Sequence, residues 1–493
     1  MTVFLVGAGP GDPGLLTVRA AEVISRADVV VYDRLSVGGV LESVPETAER
    51  VYVGKKPGDP RTRQGEINDL LVDLGRRHGT VVRLKGGDPF VFARGGEEAA
   101  ALAAAGVPFE IVPGITSAIA VPAYAGIPVT LRHSSTSFTV VTGHEDPDTP
   151  DSVDWSAVAR VGGTICILMG VMRWERIAAA LIDGGLDPHT PAAAVHWGTR
   201  PNQRTTRATL ATLGDHPLES PSVVVVGRVA ATDVAWFETK PLFGMRVVVT
   251  RTRDQASALS ARLAELGADA VEIPTIAVTE PADGGEALAA AVEELRAGAY
   301  EWIVLTSPNG ADRLLRALHD ARDLVGVKVA CIGPGTAARL AQGNVVADLV
   351  PGRFIAEGLL EALTAHEPGR ALIVRAAVAR DTLPEGLAAA GWEVDVVAAY
   401  RTVPAEISDV AREALASADA ITFTSSSTVE NFVAATGAPS TPPIVACIGP
   451  ITAATATAAG IDVTVTSPVH TIDGLVSALV EAVGRTGVDD DRT

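Results

Sequence analysis

The sequence predicts an α/β protein of two halves, each built from two layered lobes, and three observations predict it. The 493 residues are 47% hydrophobic and only 20% charged, while 48 glycines and 4% aromatic content suit helices lying close on sheets. Short valine-rich runs end again and again in a glycine or Ser/Thr turn that opens an alanine-rich stretch, which is the pattern of βα units. The second half also repeats itself, because VACIGPGTAARLA at 329–341 returns as VACIGPITAATAT at 445–457, 116 residues later. That period is too long for a solenoid and indicates two copies of one α/β domain.

Taken in order, Val3–Val6 forms a first strand running into GAGPGD. The start has no basic stretch and breaks at Gly7, so it reads as a strand rather than a signal peptide. The loop resembles a dinucleotide fingerprint and fails it. Asp12 stands where the third glycine belongs, and Pro10 removes a backbone donor. Ala27–Tyr32 ends in Asp33-Arg34, and Val51–Val53 leads into Lys55-Lys56. Open α/β sheets present their chemistry at strand C-termini, where a carboxylate and an ammonium can act as base and acid. On residue type alone, Asp33 and Lys55 read as a surface pair.

VVRLKGGDPFVFARGGEE at 81–98 combines a strand, a Gly86-Gly87 turn where the backbone is open to a ligand, and Asp88-Pro89. Arg83, Lys85 and Arg94 surround the turn, and Glu97 and Glu98 lie in the first turn of the next helix, where carboxylates suit the dipole. Ile111–Gly114 ends a further strand before the small-residue helix opened by Thr116-Ser117. The lobes are expected at 1 to about 130 and 135 to about 240, with a cleft between them. In the second, Thr164–Gly170 is a strand ending in Met169-Gly170, whose thioether either packs on a ligand or fills the core.

Phe237–Gly244 marks a boundary, with a linker at 241–245, and RVVVTRT at 246–252 opens a new unit. VLTSPNGADRLL at 304–315 aligns with TFTSSSTVENFV at 422–433. Ser307 and Ser425 thus end matching strands, and Thr336 and Thr452 follow matching Ile-Gly-Pro turns. Hydroxyls and helix N-termini bind carboxylates without fixed positive charge. Singly the four residues read equally as ordinary N-caps or as ligand contacts; their recurrence favours a ligand site. The tail from 486 to 493 is polar, acidic and expected to be disordered.

The net charge of −19 argues against a general nucleic-acid binder. Residues 51–94 reverse it locally, with nine Lys/Arg against five Asp/Glu, which suits an anionic small molecule or a solvated basic face. Cys166, Cys331 and Cys447 lack metal-ligand spacing, so no metal is expected and a reduced, cytoplasmic setting fits. No stretch is expected to cross a membrane.

RLKGGDPFVFARGGEE, with VGAGPGDPGLLT at 6–17, VVYDRL at 30–35, VGKK at 53–56, VPGITSA at 112–118, YAGIPVT at 124–130, VTGH at 141–144, the Met-Gly pair at 169–170 and VVVVGRV at 223–229, resembles the uroporphyrinogen-III C-methyltransferases of the tetrapyrrole methylase family. The resemblance covers 1–240. It implies S-adenosylmethionine held near Pro10, Gly86, Gly87, Asp88, Val91, Thr116, Ser117, Met169 and Gly198, with S-adenosylhomocysteine as product. It also implies Asp33 and Lys55 as proton acceptor and donor, substrate contacts from Arg34, Arg83 and Lys85, and a homodimer through this half. Ala93, Leu168 and the order Leu131-Arg132-His133 depart from the family pattern.

Through its paired TS and IGP segments and AAYRTVP at 398–404, the second half resembles uroporphyrinogen-III synthase. This implies two flavodoxin-like lobes, 246–276 joined with 403–485, and 280–398. Tyr400, on a segment crossing between them, matches that family's candidate proton donor, and Ser307, Thr336, Ser425 and Thr452 become substrate contacts. The expected protein is bifunctional. It cyclises hydroxymethylbilane to uroporphyrinogen III and methylates this tetrapyrrole at C2 and C7 to precorrin-2, toward sirohaem and cobalamin. The alternative makes 246–485 a non-catalytic binding or regulatory module.

Overall fold

Alternation at period two decides the first sheet. In the computed structural model, which describes residues 1–33, 39–45, 47–54, 64–144, 153–250, 253–405, 407–437 and 441–490, the chain divides into two compact units, centred on Met1–Val247 and on Val271–Leu479. The first unit opens with β1 (Thr2–Gly7), α1 (Val18–Ile24), β2 (Val29–Tyr32), β3 (Glu49–Tyr52), α2 (Gln64–Arg77), β4 (Thr80–Lys85), α3 (Gly95–Ala104), β5 (Phe109–Val112) and α4 (Ser117–Tyr124). The strands lie in the order β3-β2-β4-β1-β5, and every pair is parallel. Phe4, Val6, Val30, Val82 and Leu84 meet α1 on one face, while Val3, Leu5, Val29, Val31 and Val81 meet α2 and α3 on the other. Gly75 lets α2 approach, since a Cβ there would come within 2.6 Å of Val3. All five strands point their C-termini to one edge, where the functional loops gather.

The second sheet contains β6 (Phe138–Thr142), β7 (Thr164–Leu168), β8 (Pro191–His196), β9 (Arg204–Thr209) and β10 (Ser222–Val226), with α5 (Trp155–Val161) and α6 (Trp174–Asp183). Its order is β6-β7-β10-β8-β9, and β10 runs antiparallel to both neighbours. One face packs on α5 and α6 through Trp155, Trp174, Ile177 and Leu181. The other packs on α4 through Ala118, Val121 and Ala125, so α4 joins the two sheets and its first residues stand at the cleft.

The rest of the chain comprises β11 (Arg246–Val249), α7 (Arg253–Glu265), β12 (Asp269–Glu272), β13 (Ile276–Thr279), α8 (Glu286–Arg296), β14 (Trp302–Leu305), α9 (Pro308–Ala317), β15 (Lys328–Cys331), α10 (Pro334–Gln342), α11 (Ala356–Thr364), β16 (Arg370–Ala376), α12 (Thr382–Ala389), β17 (Glu393–Pro404), α13 (Asp409–Ala416), β18 (Ala420–Phe423), α14 (Ser426–Thr436), β19 (Ile444–Cys447), α15 (Pro450–Ala458), β20 (Val465–Thr466) and α16 (Ile472–Asp490). They form sheets of order β12-β11-β18-β19-β20 and β13-β17-β16-β14-β15. The sequence repeat is a repeat of geometry: the caps Ser307 and Ser425 have φ/ψ of −162/155 and −166/162, and Gly333 and Gly449 have −173/175 and −175/173. The expected crossings between lobes, 277–279 and 399–402, fall in β13 and the end of β17, which pair antiparallel with one another. The backbone of α16 is helical to Asp490, beyond the start of the expected disordered tail. Once Leu475 and Leu479 are buried, each further residue adds a helical hydrogen bond to an existing nucleus. Residues 491–493 lie outside the described ones.

All three cysteines are free and buried. Burial pushes the Cys166 thiol up to about 12, and those of Cys331 and Cys447 up to about 11. At a pH of about 8 all three remain protonated. None should react with a thiol reagent in the folded protein, and all three should react after denaturation. A fast-reacting native thiol would contradict this burial.

Candidate active site

The site begins where β1, β4 and β5 end. Three glycines there bring backbones too close for side chains: a Cβ at Gly7 would lie 2.5 Å from the Gly114 Cα, and one at Gly114 would lie 2.2 Å from the Gly87 carbonyl oxygen. The Gly87 amide donates to the Gly9 carbonyl at 2.8 Å. Gly87 has φ +68, a left-handed conformation that costs any other residue. Asp88 then pins two loops, its Oδ1 accepting from the Phe90 amide at 2.8 Å and its Oδ2 from the Gly114 amide at 3.1 Å.

Above these strand ends lies a cavity of about 260 Å³, within the first unit. Its lining includes every residue expected to hold the donor: Pro10, Gly86, Gly87, Asp88, Val91, Thr116, Ser117, Met169 and Gly198. Asp33 and Lys85 also line it, with Phe92, Trp197 and Arg200. Phe92, Met169 and Trp197 have φ of +53, +57 and +45, unusual for residues with side chains and typical of places where function holds strain. Met169 is 46% exposed, so its thioether faces the cavity and the core-filling alternative falls. Gly198 is required by packing, since a Cβ there would come within 2.4 Å of Val121 on α4.

The charges at the wall form one buried network. Arg83 Nη2 donates to Asp33 Oδ2 at 3.1 Å, Arg83 Nε donates to Glu98 Oε1 at 3.1 Å, and Lys85 Nζ donates to the same Glu98 oxygen at 2.9 Å. Arg83 and Lys85 are 3% and 4% exposed and Glu98 is fully buried. Burial first, and then the neighbouring Arg83, hold the Lys85 ammonium below its usual pKa, while Glu98 pulls the other way. Arg83 does not line the cavity, so its expected substrate contact is corrected to a hold on Asp33: its side chain lies on the inner face of β4. Arg34 and Lys55 lie outside the described residues.

Asp12 has a job the sequence did not reveal. Its Oδ1 accepts from the Gly14 amide at 2.7 Å, its Oδ2 accepts from the Tyr124 hydroxyl at 2.6 Å, and its amide donates to Thr199 Oγ1 at 3.2 Å. The loop carrying Pro10 is thereby tied to the end of α4 and to the turn after β8. Tyr124→Phe should destabilise the unit by about 1.5–3 kcal/mol, the cost of a lost hydrogen bond to a charged group. A thermal unfolding temperature equal to that of wild type would argue against this tie. Arg200, stacked with its guanidinium 4.6 Å from the Trp197 ring centre, was likewise not anticipated.

In the second unit the Tyr400 hydroxyl donates to Ser307 Oγ at 2.9 Å, and the same oxygen accepts from the Gly310 amide at 3.0 Å. Ser307 caps α9 and Ser425 caps α14, the latter in a reciprocal pair with Thr428. Thr336 and Thr452 are neither caps nor open to a ligand. Gly333 and Gly449 are the caps, Pro334 and Pro450 take the first helical position, and both threonines fall inward at 2% and 5% exposure. Among the described residues no cluster of His, Cys, Asp and Glu could hold a metal, and no helix is long and apolar enough to cross a membrane.

Comparison with known proteins falls into the same two halves. The family model described as tetrapyrrole (corrin/porphyrin) methylases matches residues 2–214, and that of uroporphyrinogen-III synthase HemD matches 257–477. The chain is 39% identical over 500 aligned residues to the porphyrin biosynthesis protein HemD of Ruminiclostridium josui, covering 98% of both chains. Its first half is 51% identical to the S-adenosyl-L-methionine-dependent uroporphyrinogen III methyltransferase of Methanosarcina barkeri, over 46% of this chain and 91% of that one. It is also similar to the crystal structure of uroporphyrin-III C-methyl transferase from Thermus thermophilus complexed with S-adenyl homocysteine, at 42% identity and a TM-score of 0.41, over 46% of this chain and 98% of that one. Matched by one family model on each half and by a relative along nearly its whole length, the chain belongs to the family in which a tetrapyrrole methylase is fused to a uroporphyrinogen-III synthase.

Proposed function

We propose that the protein cyclises hydroxymethylbilane to uroporphyrinogen III in its second half and methylates that product at C2 and C7 in its first, giving precorrin-2. The observation that carries this reading is the single cavity that gathers all the expected donor-holding residues with Asp33 and Lys85 at its wall. We assign 1–240 to the methyltransferase, 241–245 to the linker, and 246–485 to the synthase, with lobes 246–276 plus 403–485 and 280–398. A cytoplasmic homodimer joined through the methyltransferase half completes the reading.

The cavity suits S-adenosylmethionine. A Cβ on Gly87 would project to 3.7 Å from the Ser117 amide nitrogen and 3.8 Å from the Thr116 Cα, into the gap between the turn and α4. The bound donor supplies a methyl group activated by its sulfonium, so the chain's work is alignment and proton handling. Gly86 and Gly87 admit the donor to the backbone, and Met169 and Trp197 wall it. Asp33, gripped by Arg83, takes up a proton as a ring carbon is methylated, and Lys55 returns one. Mass analysis of product from supplied uroporphyrinogen III and S-adenosylmethionine tests this half: two added methyl groups are expected, and unchanged substrate would refute it.

In the synthase half Tyr400 supplies the proton to the departing hydroxyl, giving up the bond it donates to Ser307 Oγ in the free site. The pyrrole nitrogen already assists departure, so the acid should contribute near or below the low end of the roughly 10²–10⁴-fold range for such groups. Tyr400→Phe should slow uroporphyrinogen III formation substantially, leave the fold intact, and leave methylation of supplied uroporphyrinogen III unchanged. Tyr400 is buried in the core of its lobe at 6% exposure, and a wild-type synthase rate would leave its hydroxyl no role beyond the bond to Ser307.

A further inference from the structure

The donor cavity, Asp12 and the hydroxyl pair at Tyr400 each have a partner or a task, whereas one carboxylate in the first unit spends only one of its oxygens. Glu98, on the first turn of α3, is fully buried, and its Oε1 alone accepts from Arg83 Nε, Lys85 Nζ and, at 3.4 Å, Gln64 Nε2. Its Oε2 is buried with no hydrogen-bond partner among the described residues. A carboxylate meant only for fold stability would spend both oxygens. This one concentrates two cations on a single atom.

The geometry points to a role in the reaction. Arg83 and Lys85 are two residues apart on β4 and so share one face. Through Glu98 they are held at fixed distance, Arg83 reaching on to Asp33 and Lys85 reaching the cavity. We propose that Glu98 is a positioning residue for methyl transfer, whose Oε1 sets the place of the two charges that face the substrate, Asp33 through Arg83 and Lys85 directly. This rests on the methyltransferase reading. The charged groups facing Lys85 are Arg83 on its own strand, Glu98 and the exposed Glu97 from α3 and Asp33 after β2, with Asp88 and Arg200 elsewhere on the cavity wall.

The sign of the pH effect follows. Glu98 favours the protonated form of Lys85, whereas burial and Arg83 oppose it. Removing the Glu98 charge therefore lets Lys85 lose its proton at lower pH. Glu98→Gln, assayed in the full chain with saturating S-adenosylmethionine and uroporphyrinogen III, should lower kcat about ten-fold or more and move the alkaline limb of the rate profile down by about one pH unit or more. Donor affinity measured by calorimetry should stay within about three-fold of wild type.

Burying two cations against one fewer anion can prevent folding, so a second variant is needed. Lys85→Met/Glu98→Gln removes one charge of each sign. It should fold and bind the donor as wild type does, and should not recover the methylation rate. A normal rate and pH profile in Glu98→Gln would overturn the proposal, and so would a recovered rate in the double variant, which would make the network a device for stability alone. A wild-type protein that methylates nothing would overturn the methyltransferase reading itself, and the role of Glu98 with it.

Discussion

Gly87→Val should abolish binding of S-adenosylmethionine, with at least about a hundred-fold loss of affinity, equivalent to about 2.7 kcal/mol. Two effects add. The φ of +68 at Gly87 is costly for a residue with a side chain, and worst for a β-branched one, at about 1–3 kcal/mol. The new side chain also points at the start of α4, where Thr116 and Ser117 line the cavity. Gly96→Ala makes a suitable control, because a Cβ there meets nothing within 4 Å. Calorimetry on both variants checks the assignment, and a folded Gly87→Val protein with unchanged affinity would remove this turn from the donor site.

Asp33→Asn should cut the rate of methyl transfer by roughly 10²–10⁴-fold, the range spanned by positioned acids and bases. The fold should survive. Arg83 would keep Glu98 and its bonds to the Val31 and Leu84 carbonyls, at 3.4 and 3.0 Å. Donor affinity should change by no more than a few-fold, since the amide keeps the shape of the wall. Normal turnover by the variant would take the proton acceptor away from Asp33, and a loss of donor binding of the same size would make the residue structural.

Much of this was legible because it is local. Short valine-rich runs marked the strands, and Gly-Gly-Asp-Pro after a strand marked the turn, since both patterns answer to short-range sterics. The threonines failed for an instructive reason. A hydroxyl after Ile-Gly-Pro looks like a cap, but proline favours the first helical position, which moves the cap back to Gly333 and Gly449 and turns Thr336 and Thr452 inward. Glu98 was readable and overlooked. Arg83 and Lys85 share the face of β4 that Val81 buries, and two cations on a core face demand a buried anion, which α3 was placed to supply. Asp12, Arg200 and the insertion of β10 between β7 and β8 depend on contacts far apart in sequence, and no local pattern announces them.

The activity expected of this one chain is two consecutive reactions on one tetrapyrrole. Its most direct test is to incubate the purified protein with hydroxymethylbilane, with and without S-adenosylmethionine, and to identify the products by isomer and by mass. Without the donor the product should be uroporphyrinogen III, and with it the dimethylated tetrapyrrole. Only the uninverted isomer, which forms when hydroxymethylbilane closes unaided, would show the second half to be a binding module. Uroporphyrinogen III that stays unmethylated in the presence of the donor would contradict the first half.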